Sequence, residues 1–209
     1  MVDIALKSDE EKAEELKAWW KANGVSVIAG VSLAIAGMFG WQQWQKNKLV
    51  KAEGASKVFS EINTKNANPE EILKKLNADY SGSNYTALAA LNAAKTSCEA
   101  NKTQQCIDQL KIASKSSQET IANIAKTRLA RTFISAGQLN EANQILAEKF
   151  PAAYKSLLAE LRGDVFYHKK DYKKAREAYD RAILSSGGQN IEGLKLKRDD
   201  LGDNLKTGA

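Results

Sequence analysis

The chain has 209 residues and a formal net charge of +6, and hydrophobic residues make up 43% of it. This length and composition fit a single globular domain. With only 2 prolines and 13 glycines, the chain lacks the turn residues that many short strands require, so we expect an all-α protein. One histidine and two cysteines are too few for a histidine-rich metal site, a four-cysteine zinc site or a four-cysteine disulfide framework.

The positive charge lies mainly outside the N-terminal tail. Residues 1–23 contain four lysines and six acidic residues, which leaves 27 basic and 19 acidic residues downstream. The downstream basic residues are mostly lysines scattered among acids, whereas nucleic-acid-binding proteins more often show an arginine-rich stripe or interleaved aromatic residues. A modest positive balance also suits a helical surface near anionic lipid. We therefore expect no nucleic-acid partner.

An uncharged segment near the N-terminus predicts a membrane-spanning helix. No residue from 22 to 45 carries a charge, and the central 21 residues, 24–44, correspond to about 30 Å of helix. That length crosses the hydrocarbon core of a bilayer. All four tryptophans lie at the edges of this segment, where indoles favour the lipid headgroup level; they are Trp19, Trp20, Trp41 and Trp44. The alternative interpretation is a buried core helix.

The same segment predicts an anchor and not a cleaved signal peptide. Ala34 and Ala36 have the small-x-small spacing of a signal-peptidase site, but a secretory leader begins with a short basic region. Here some 23 residues that include six acids precede the apolar core. We therefore predict an N-terminal tail at residues 1–21, an uncleaved membrane helix at 22–45 and a soluble domain at 46–209.

The charge pattern alone leaves the orientation of this anchor nearly undecided. Four lysines precede the segment and four follow it closely, so the positive-inside rule gives a near tie. The short tail and the larger C-terminal domain favour a cytoplasmic N-terminus, with the functional domain outside.

Small residues recur along one stripe of the predicted membrane helix. This stripe consists of Ser26, Gly30, Ala34, Gly37 and Gly40. Small side chains let another membrane helix approach closely, so the stripe predicts a docking face for a membrane partner. The alternative is that glycine and alanine are simply frequent in membrane helices.

Beyond Lys46 the apolar residues keep a helical spacing, which predicts that the membrane helix continues into the soluble part. This run ends near Asn66. Pro69 then suits the first turn of a second helix with Asn68 as its cap. Together the two segments predict an irregular leading helix pair.

Three later stretches repeat one pattern at a period near 34 residues. A small residue is followed twelve positions later by another small residue, and a large apolar residue comes four positions after that. The three sets are Ala94, Cys106 and Leu110; Ala130, Ala142 and Leu146; and Gly163, Ala175 and Tyr179. They resemble the tetratricopeptide repeat, in which small residues let paired helices touch. We predict a helical solenoid that ends in a capping helix at 191–205, with a generic array of helical hairpins as the alternative.

The two cysteines flank the turn of the first repeat. Cys98 and Cys106 each lie four residues from Lys102, so they stand at the same height in an antiparallel hairpin. Their α-carbons then fall within disulfide range if the side chains face each other. In an oxidising compartment we expect a bridge; the alternative is two buried free thiols. The spacing is not that of a Cys-x-x-Cys redox catalyst.

The sequence shows no catalytic motif. It contains no glycine-rich phosphate loop, no Gly-x-Ser-x-Gly elbow and no His-Glu-x-x-His motif. The single histidine, His168, adjoins two lysines at the end of a predicted helix, where a solvated turn residue is expected. We expect a non-enzymatic protein with no cofactor, no metal and no small-molecule substrate.

The order of these features resembles the YfgM family of ancillary Sec translocon subunits of Gram-negative bacteria. The likeness lies in an acidic tail, a span that closes on Gly-Trp-x-x-Trp at 40–44, and a repeat domain. Further matching motifs are Tyr-x-Ala-Leu-Ala-x-Leu at 85–91, Arg-Leu-Ala-Arg at 128–131 and Leu-Arg-Gly-Asp at 161–164. The resemblance covers nearly the whole chain. The cysteine pair is not a hallmark of this family.

The resemblance implies a single-pass protein of the bacterial inner membrane with its N-terminus in the cytoplasm and its repeat domain in the periplasm. The implied partners are the SecYEG channel and a periplasmic chaperone similar to PpiD. The implied function is to help pass translocated proteins to periplasmic folding factors. Two alternatives remain, a scaffold for another envelope assembly complex and an adaptor with the reverse orientation.

Stacked hairpins leave a concave groove whose helix faces bind a partner segment. The candidate groove or inter-repeat residues are Tyr85, Leu88, Asn92, Asn123, Lys126, Arg131, Tyr154 and Arg162. Arg131 and Arg162 suit a clamp for a partner carboxylate, and an inter-repeat salt bridge is the alternative role for both.

Overall fold

The structure is a computed structural model that describes residues 9–64, 67–188 and 191–202. All regular structure in these ranges is helical, which confirms the predicted all-α class. The chain divides into two compact units, residues 1–51 and 52–209. The described helices are α1 (Asp9–Ser60), α2 (Pro69–Asp79), α3 (Asn84–Glu99), α4 (Thr103–Ala113), α5 (Glu119–Ser135), α6 (Leu139–Leu146), α7 (Lys155–His168), α8 (Tyr172–Ser185) and α9 (Ile191–Asp199).

Most of the first unit is the long helix α1. It begins with Asp9, Glu10 and Glu11 in its first turn, where negative charge suits the partial positive charge of a helix N-terminus. Apolar side chains in its central part are exposed, for example Val25 and Leu33. By length and composition α1 can cross a membrane, and it is the one helix in the described part of the chain that can.

The last turns of α1 belong to the second unit and pack there with α2 and α3. Ala55 is fully buried, and the ring centroids of Phe59 and Tyr85 lie 5.7 Å apart. The α2 helix begins as the sequence predicts, because Pro69 occupies its first turn and the Asn68 side chain accepts a hydrogen bond from the backbone N–H of Glu70. The leading helix pair is therefore confirmed.

Three helical hairpins follow the leading pair, α3 with α4, α5 with α6, and α7 with α8. Each helix packs against the next along the chain, and the first helices of successive hairpins also contact each other. The nine small and large positions of the repeat pattern are all buried. This agrees with their predicted roles, because the small residues allow close contact within a hairpin and the large ones fill the space beside it. The predicted solenoid is confirmed.

The third hairpin shows why glycine replaces alanine at one of these positions. A β-carbon at Gly163 would overlap the ring of Tyr179, and that ring is 3% exposed. The Tyr179 hydroxyl donates a hydrogen bond of 2.8 Å to Asp164 Oδ1. The α7 and α8 helices thus approach each other around one aromatic ring.

The α9 helix covers the end of the solenoid, as predicted for a capping helix. Leu194 packs with Ala159 and Ala182, and Leu201 packs with Ala175 and Tyr179. Both leucines are almost fully buried, so α9 shields apolar surface that a further repeat would otherwise cover. The sequence predicts this helix to residue 205, and residues 203–205 lie outside the described ranges.

Candidate functional site

The first cavity of the repeat domain lies where α3, α4 and α5 meet. Its volume is about 580 Å³. Its inner wall is apolar and is formed by Leu91, Ala94, Leu110 and the two cysteines. Leu91, Ala94 and Leu110 are each at most 9% exposed, so the wall is part of the domain core. Such a cavity suits a large apolar group that arrives from outside.

A disulfide between Cys98 and Cys106 forms part of this inner wall. Their α-carbons are 5.3 Å apart, within the range that a bridge requires. Cys106 is fully buried in the small-residue position of the first repeat, whereas Cys98 lies at the surface. The hydroxyl oxygen of Thr132 on α5 lies 3.9 Å from Cys98 Sγ and 4.0 Å from Cys106 Sγ. The bridge therefore joins the two helices of the first hairpin next to the second.

The rim of the first cavity is basic. Its charged residues are Lys95, Glu99, Arg128 and Arg131. Lys95 pairs with Glu99 at 3.9 Å, and both side chains are largely exposed. The guanidinium group of neither arginine forms an ion pair or a hydrogen bond within the described residues. Because the two arginines are three residues apart on α5, they project from the same face of the helix.

A second cavity of about 350 Å³ continues from the first between α5, α7 and α9. Arg131 and Ser135 belong to both cavities. The rest of the second lining is more polar and includes Tyr167 and His168 at the end of α7. We call the two adjoining cavities the groove. It runs along the first helices of the second and third hairpins.

The far end of the groove is closed by an ionic cluster around Lys197 of α9. The Lys197 ammonium group lies 2.7 Å from Glu160 Oε1 and 2.8 Å from Asp164 Oδ1. Burial opposes the charge on Lys197, but its hydrogen bonds to the two carboxylates outweigh this effect and raise the pKa of the lysine. Burial and the charge of Asp164 likewise raise the pKa of Tyr179. Lysine and tyrosine both keep their protons, and the cluster fastens α9 to α7.

Replacing Lys197 by Met should loosen α9 selectively. The lysine side chain is 38% exposed, so solvent screens its ion pairs, and we expect a loss of about 1 kcal/mol. Hydrogen exchange should quicken in α9 more than in α3 and α4. Lys195→Met is a matched control, because among the described residues Lys195 pairs only with the exposed Glu192, at 3.5 Å. Equal exchange rates in α9 of the two variants would contradict a clamping role for Lys197.

Of the eight residues predicted for the groove or for contacts between repeats, Arg131 lines both cavities. Leu88 packs half-buried against the core. The Asn92 side chain is exposed, and its amide donates a hydrogen bond of 3.0 Å to the Leu88 carbonyl of its own helix. Tyr85 packs on Phe59. Leu88, Asn92 and Tyr85 thus lie on α3 but outside the two cavities.

The other four predicted residues make contacts inside or between repeats. Asn123 is buried, with only 4% of its surface exposed. Lys126 forms an ion pair with Glu148, and the ring centroids of Tyr154 and Phe150 lie 5.7 Å apart.

Arg162 joins two repeats by a hydrogen bond. Its Nη2 donates to the carbonyl of Leu146 at 2.6 Å. Leu146 is the last residue of α6, where backbone carbonyls lack helical partners. In the described part of the chain, Arg162 therefore contacts the neighbouring repeat through a hydrogen bond to its backbone.

Sequence reasoning missed Arg128 and Lys197 as groove residues. The signal for Arg128 was present, because a residue three positions before Arg131 faces the same side of a helix. Lys197 carried no such signal. Its position depends on how α9 packs across α7, which the local sequence does not specify.

The small-residue stripe of α1 is exposed in the first unit. Ser26, Gly30, Ala34, Gly37 and Gly40 all lie at the surface. A β-carbon at Gly30, Gly37 or Gly40 would meet no other atom within 4 Å. Within the described residues, no group of three or more histidine, cysteine, aspartate or glutamate side chains is arranged to bind a metal ion.

Residues 17–203 match the model of a family described as tetratricopeptide repeat-like domain. A relative in Haemophilus influenzae named "Ancillary SecYEG translocon subunit" is 29% identical to this chain, and the match covers 92% of this chain and 97% of the relative. A relative of the same name in Aggregatibacter actinomycetemcomitans is 26% identical over the same shares of the two chains. A relative of the same name in Escherichia coli is 25% identical, with 86% of this chain and 89% of the relative covered. No solved structure matches significantly.

The family match and these relatives extend over the anchor helix and the repeats together. Relatives with this name thus match the chain over most of its length, as the resemblance to the YfgM family predicts. The chain belongs to the tetratricopeptide repeat-like domain family, and its resemblance to the ancillary SecYEG translocon subunits is confirmed.

Proposed function

We propose that this chain is a non-enzymatic accessory subunit of the Sec translocon. The observation that carries the proposal is the match to relatives named ancillary SecYEG translocon subunits over 92% of the chain. The match includes both the candidate membrane helix and the repeat domain. A repeat solenoid with an open groove supports binding as the activity.

In this proposal the chain has the three segments predicted from the sequence. Residues 1–21 form a cytoplasmic tail, residues 22–45 cross the inner membrane, and residues 46–209 form a periplasmic domain. The bridge between Cys98 and Cys106 supports a periplasmic location, since disulfides persist in that compartment and are rare in the bacterial cytosol.

The anchor holds the repeat domain at the membrane, where translocated chains emerge. Tethering raises the effective concentration of the groove near a partner without any new contact. The repeat domain binds a periplasmic chaperone similar to PpiD, and the pair helps to pass translocated proteins to periplasmic folding factors. The exposed small-residue stripe of α1 is the proposed docking face for the channel.

Purification of the tagged full-length protein in mild detergent tests this function. We expect mass spectrometry of the bound proteins to identify SecYEG subunits together with a periplasmic chaperone. Recovery of an unrelated envelope complex, without channel subunits, would overturn the translocon role and would indicate a general scaffold.

The double replacement Gly30→Leu and Ala34→Leu tests the docking face. Two leucines on the stripe prevent close approach of a partner helix but keep α1 apolar. We therefore expect at least a tenfold loss of co-purified channel subunits, while the variant stays in the membrane fraction. Ile28→Leu and Ile35→Leu form a matched control, because both residues are exposed apolar positions on the face of α1 opposite the stripe. Full recovery of the channel by the stripe variant would contradict docking there.

A further inference from the structure

The first cavity combines an apolar inner wall with a basic rim. Its inner wall is apolar, formed by Leu91, Ala94, Leu110 and the disulfide. Its rim carries three basic side chains and one acidic side chain. The acidic residue, Glu99, already pairs with Lys95, so the excess positive charge comes from Arg128 and Arg131.

Within the described residues the side chains of the two arginines have no partner, whereas three other basic side chains of the domain are held in place. Arg162 binds a backbone carbonyl, Lys126 pairs with Glu148 and Lys197 pairs with two carboxylates. Arginine offers a planar fork of donors that suits carboxylates. Two such forks lie on one face of α5, above an apolar cavity. A ligand that complements the arginines and the cavity must carry both carboxylates and a large apolar group.

We propose that the first cavity binds a protein segment in which a large apolar side chain is flanked by carboxylates. The apolar side chain enters the cavity against Leu91, Leu110 and the disulfide. The carboxylates of the same segment pair with Arg128 and Arg131 at the rim. This inference rests on the proposed function and specifies the class of partner sequence that the groove accepts.

The lining of the cavity argues against a neutral apolar segment and against a nucleic acid. A neutral segment would leave two arginines without partners while it partly covers them, which costs free energy. A single-stranded nucleic acid needs aromatic rings for base stacking, and the first cavity has an aliphatic wall with no aromatic residue among its lining side chains.

Fluorescence anisotropy with the full-length protein in neutral detergent tests the proposal. The probe is a fluorescein-labelled decapeptide with a central leucine and two aspartates on each side. Two matched peptides serve as controls, one with asparagine in place of every aspartate and one with alanine in place of the leucine. We expect each control peptide to bind about tenfold more weakly, because each lacks one of the two complementary features.

The variant with both Arg128→Ala and Arg131→Ala should also bind the acidic probe about tenfold more weakly and should lose the preference for aspartate over asparagine. Arg176→Ala with Arg181→Ala is the matched control, since both arginines are exposed on α8, outside the lining of either cavity. Higher ionic strength should weaken binding of the acidic probe to the wild type more than binding to the Arg128→Ala and Arg131→Ala variant. Circular dichroism of each variant checks that the helices are retained.

Three outcomes would overturn the inference. One is equal affinity for the aspartate and asparagine peptides, which would exclude a role for the arginines. Another is equal affinity for the leucine and alanine peptides, which would exclude the cavity. The third is displacement of the probe by mixed micelles of the same detergent with phosphatidylglycerol but not with phosphatidylcholine, which would assign the site to an anionic lipid. If SecYEG still co-purifies in any of these cases, the proposed function stands and the peptide inference alone fails.

Discussion

Replacing Tyr179 by Ala should destabilise the repeat domain more than any other single change considered in this molecule. The ring is 3% exposed and fills the space between α7 and α8. Removing a buried aromatic side chain typically costs about 3–5 kcal/mol. Urea unfolding of the full-length protein in detergent, followed by circular dichroism at 222 nm, measures the effect. Tryptophan fluorescence is unsuitable because all four tryptophans lie in α1.

Tyr179→Phe is the matched control for the hydroxyl group. It keeps the ring but removes the hydrogen bond of 2.8 Å to Asp164, so we expect a loss of about 1 kcal/mol. If the Ala and Phe variants unfold at the same urea concentration, the Tyr179 ring does not contribute to stability by packing between α7 and α8.

Gly163 offers a second, independent test of the same contact. A β-carbon at this position overlaps the Tyr179 ring, so Gly163→Ala should cost about 1–3 kcal/mol in the wild type. In the Tyr179→Ala background the ring is absent, and the same change should be neutral or stabilising by up to about 1 kcal/mol, because alanine is the better helix former. An equal cost in both backgrounds would show that the two positions are not coupled.

The repeat positions show why the fold was predictable from the sequence. Ala94, Ala130 and Gly163 recur with fixed spacing to their partners, and this spacing reflects contacts within one hairpin and its neighbour. Since such contacts are local along the chain, periodicity alone reveals them. The cap formed by Asn68 and Pro69 was predictable for the same reason, because it depends on two adjacent residues.

The groove was less predictable, because its lining comes from helices that are distant in sequence. Arg131 lines both cavities, whereas Asn123 is buried and Arg162 donates a hydrogen bond to the Leu146 carbonyl at the end of α6. A shift of one residue on a helix rotates a side chain by about 100°. An alignment that places the repeats correctly therefore still leaves the inward or outward direction of each polar residue undecided.

Loss of the disulfide between Cys98 and Cys106 should be the second large effect on stability. The bridge closes a loop with a sequence separation of 8 residues. In the chain-entropy description, closing a loop of this size stabilises the native state by about 2–3 kcal/mol. The variant with Cys98→Ser and Cys106→Ala removes the bridge, and alanine already occupies the position equivalent to Cys106 in the second and third repeats, at Ala142 and Ala175.

Urea unfolding separates the cross-link from side-chain packing in three samples: the oxidised wild type, the wild type reduced with dithiothreitol and the double variant. We expect the last two to unfold at similar, lower urea concentrations, because both lack the bridge while a small side chain still fills the buried position. The effect should centre on the first hairpin, so hydrogen exchange should quicken in α3 and α4 more than in α7 and α8.

Thiol labelling of the protein from cells, denatured without reductant, tests whether the bridge forms in the native compartment. No labelled thiol is expected if the repeat domain lies in the oxidising periplasm. Two labelled thiols would instead place the domain in a reducing compartment and would contradict the proposed orientation.

Because the bridge also forms part of the first cavity, the reduced protein should bind the acidic decapeptide less tightly than the oxidised protein. Unchanged binding would show that the cavity keeps its shape without the cross-link, and the bridge would then serve stability alone.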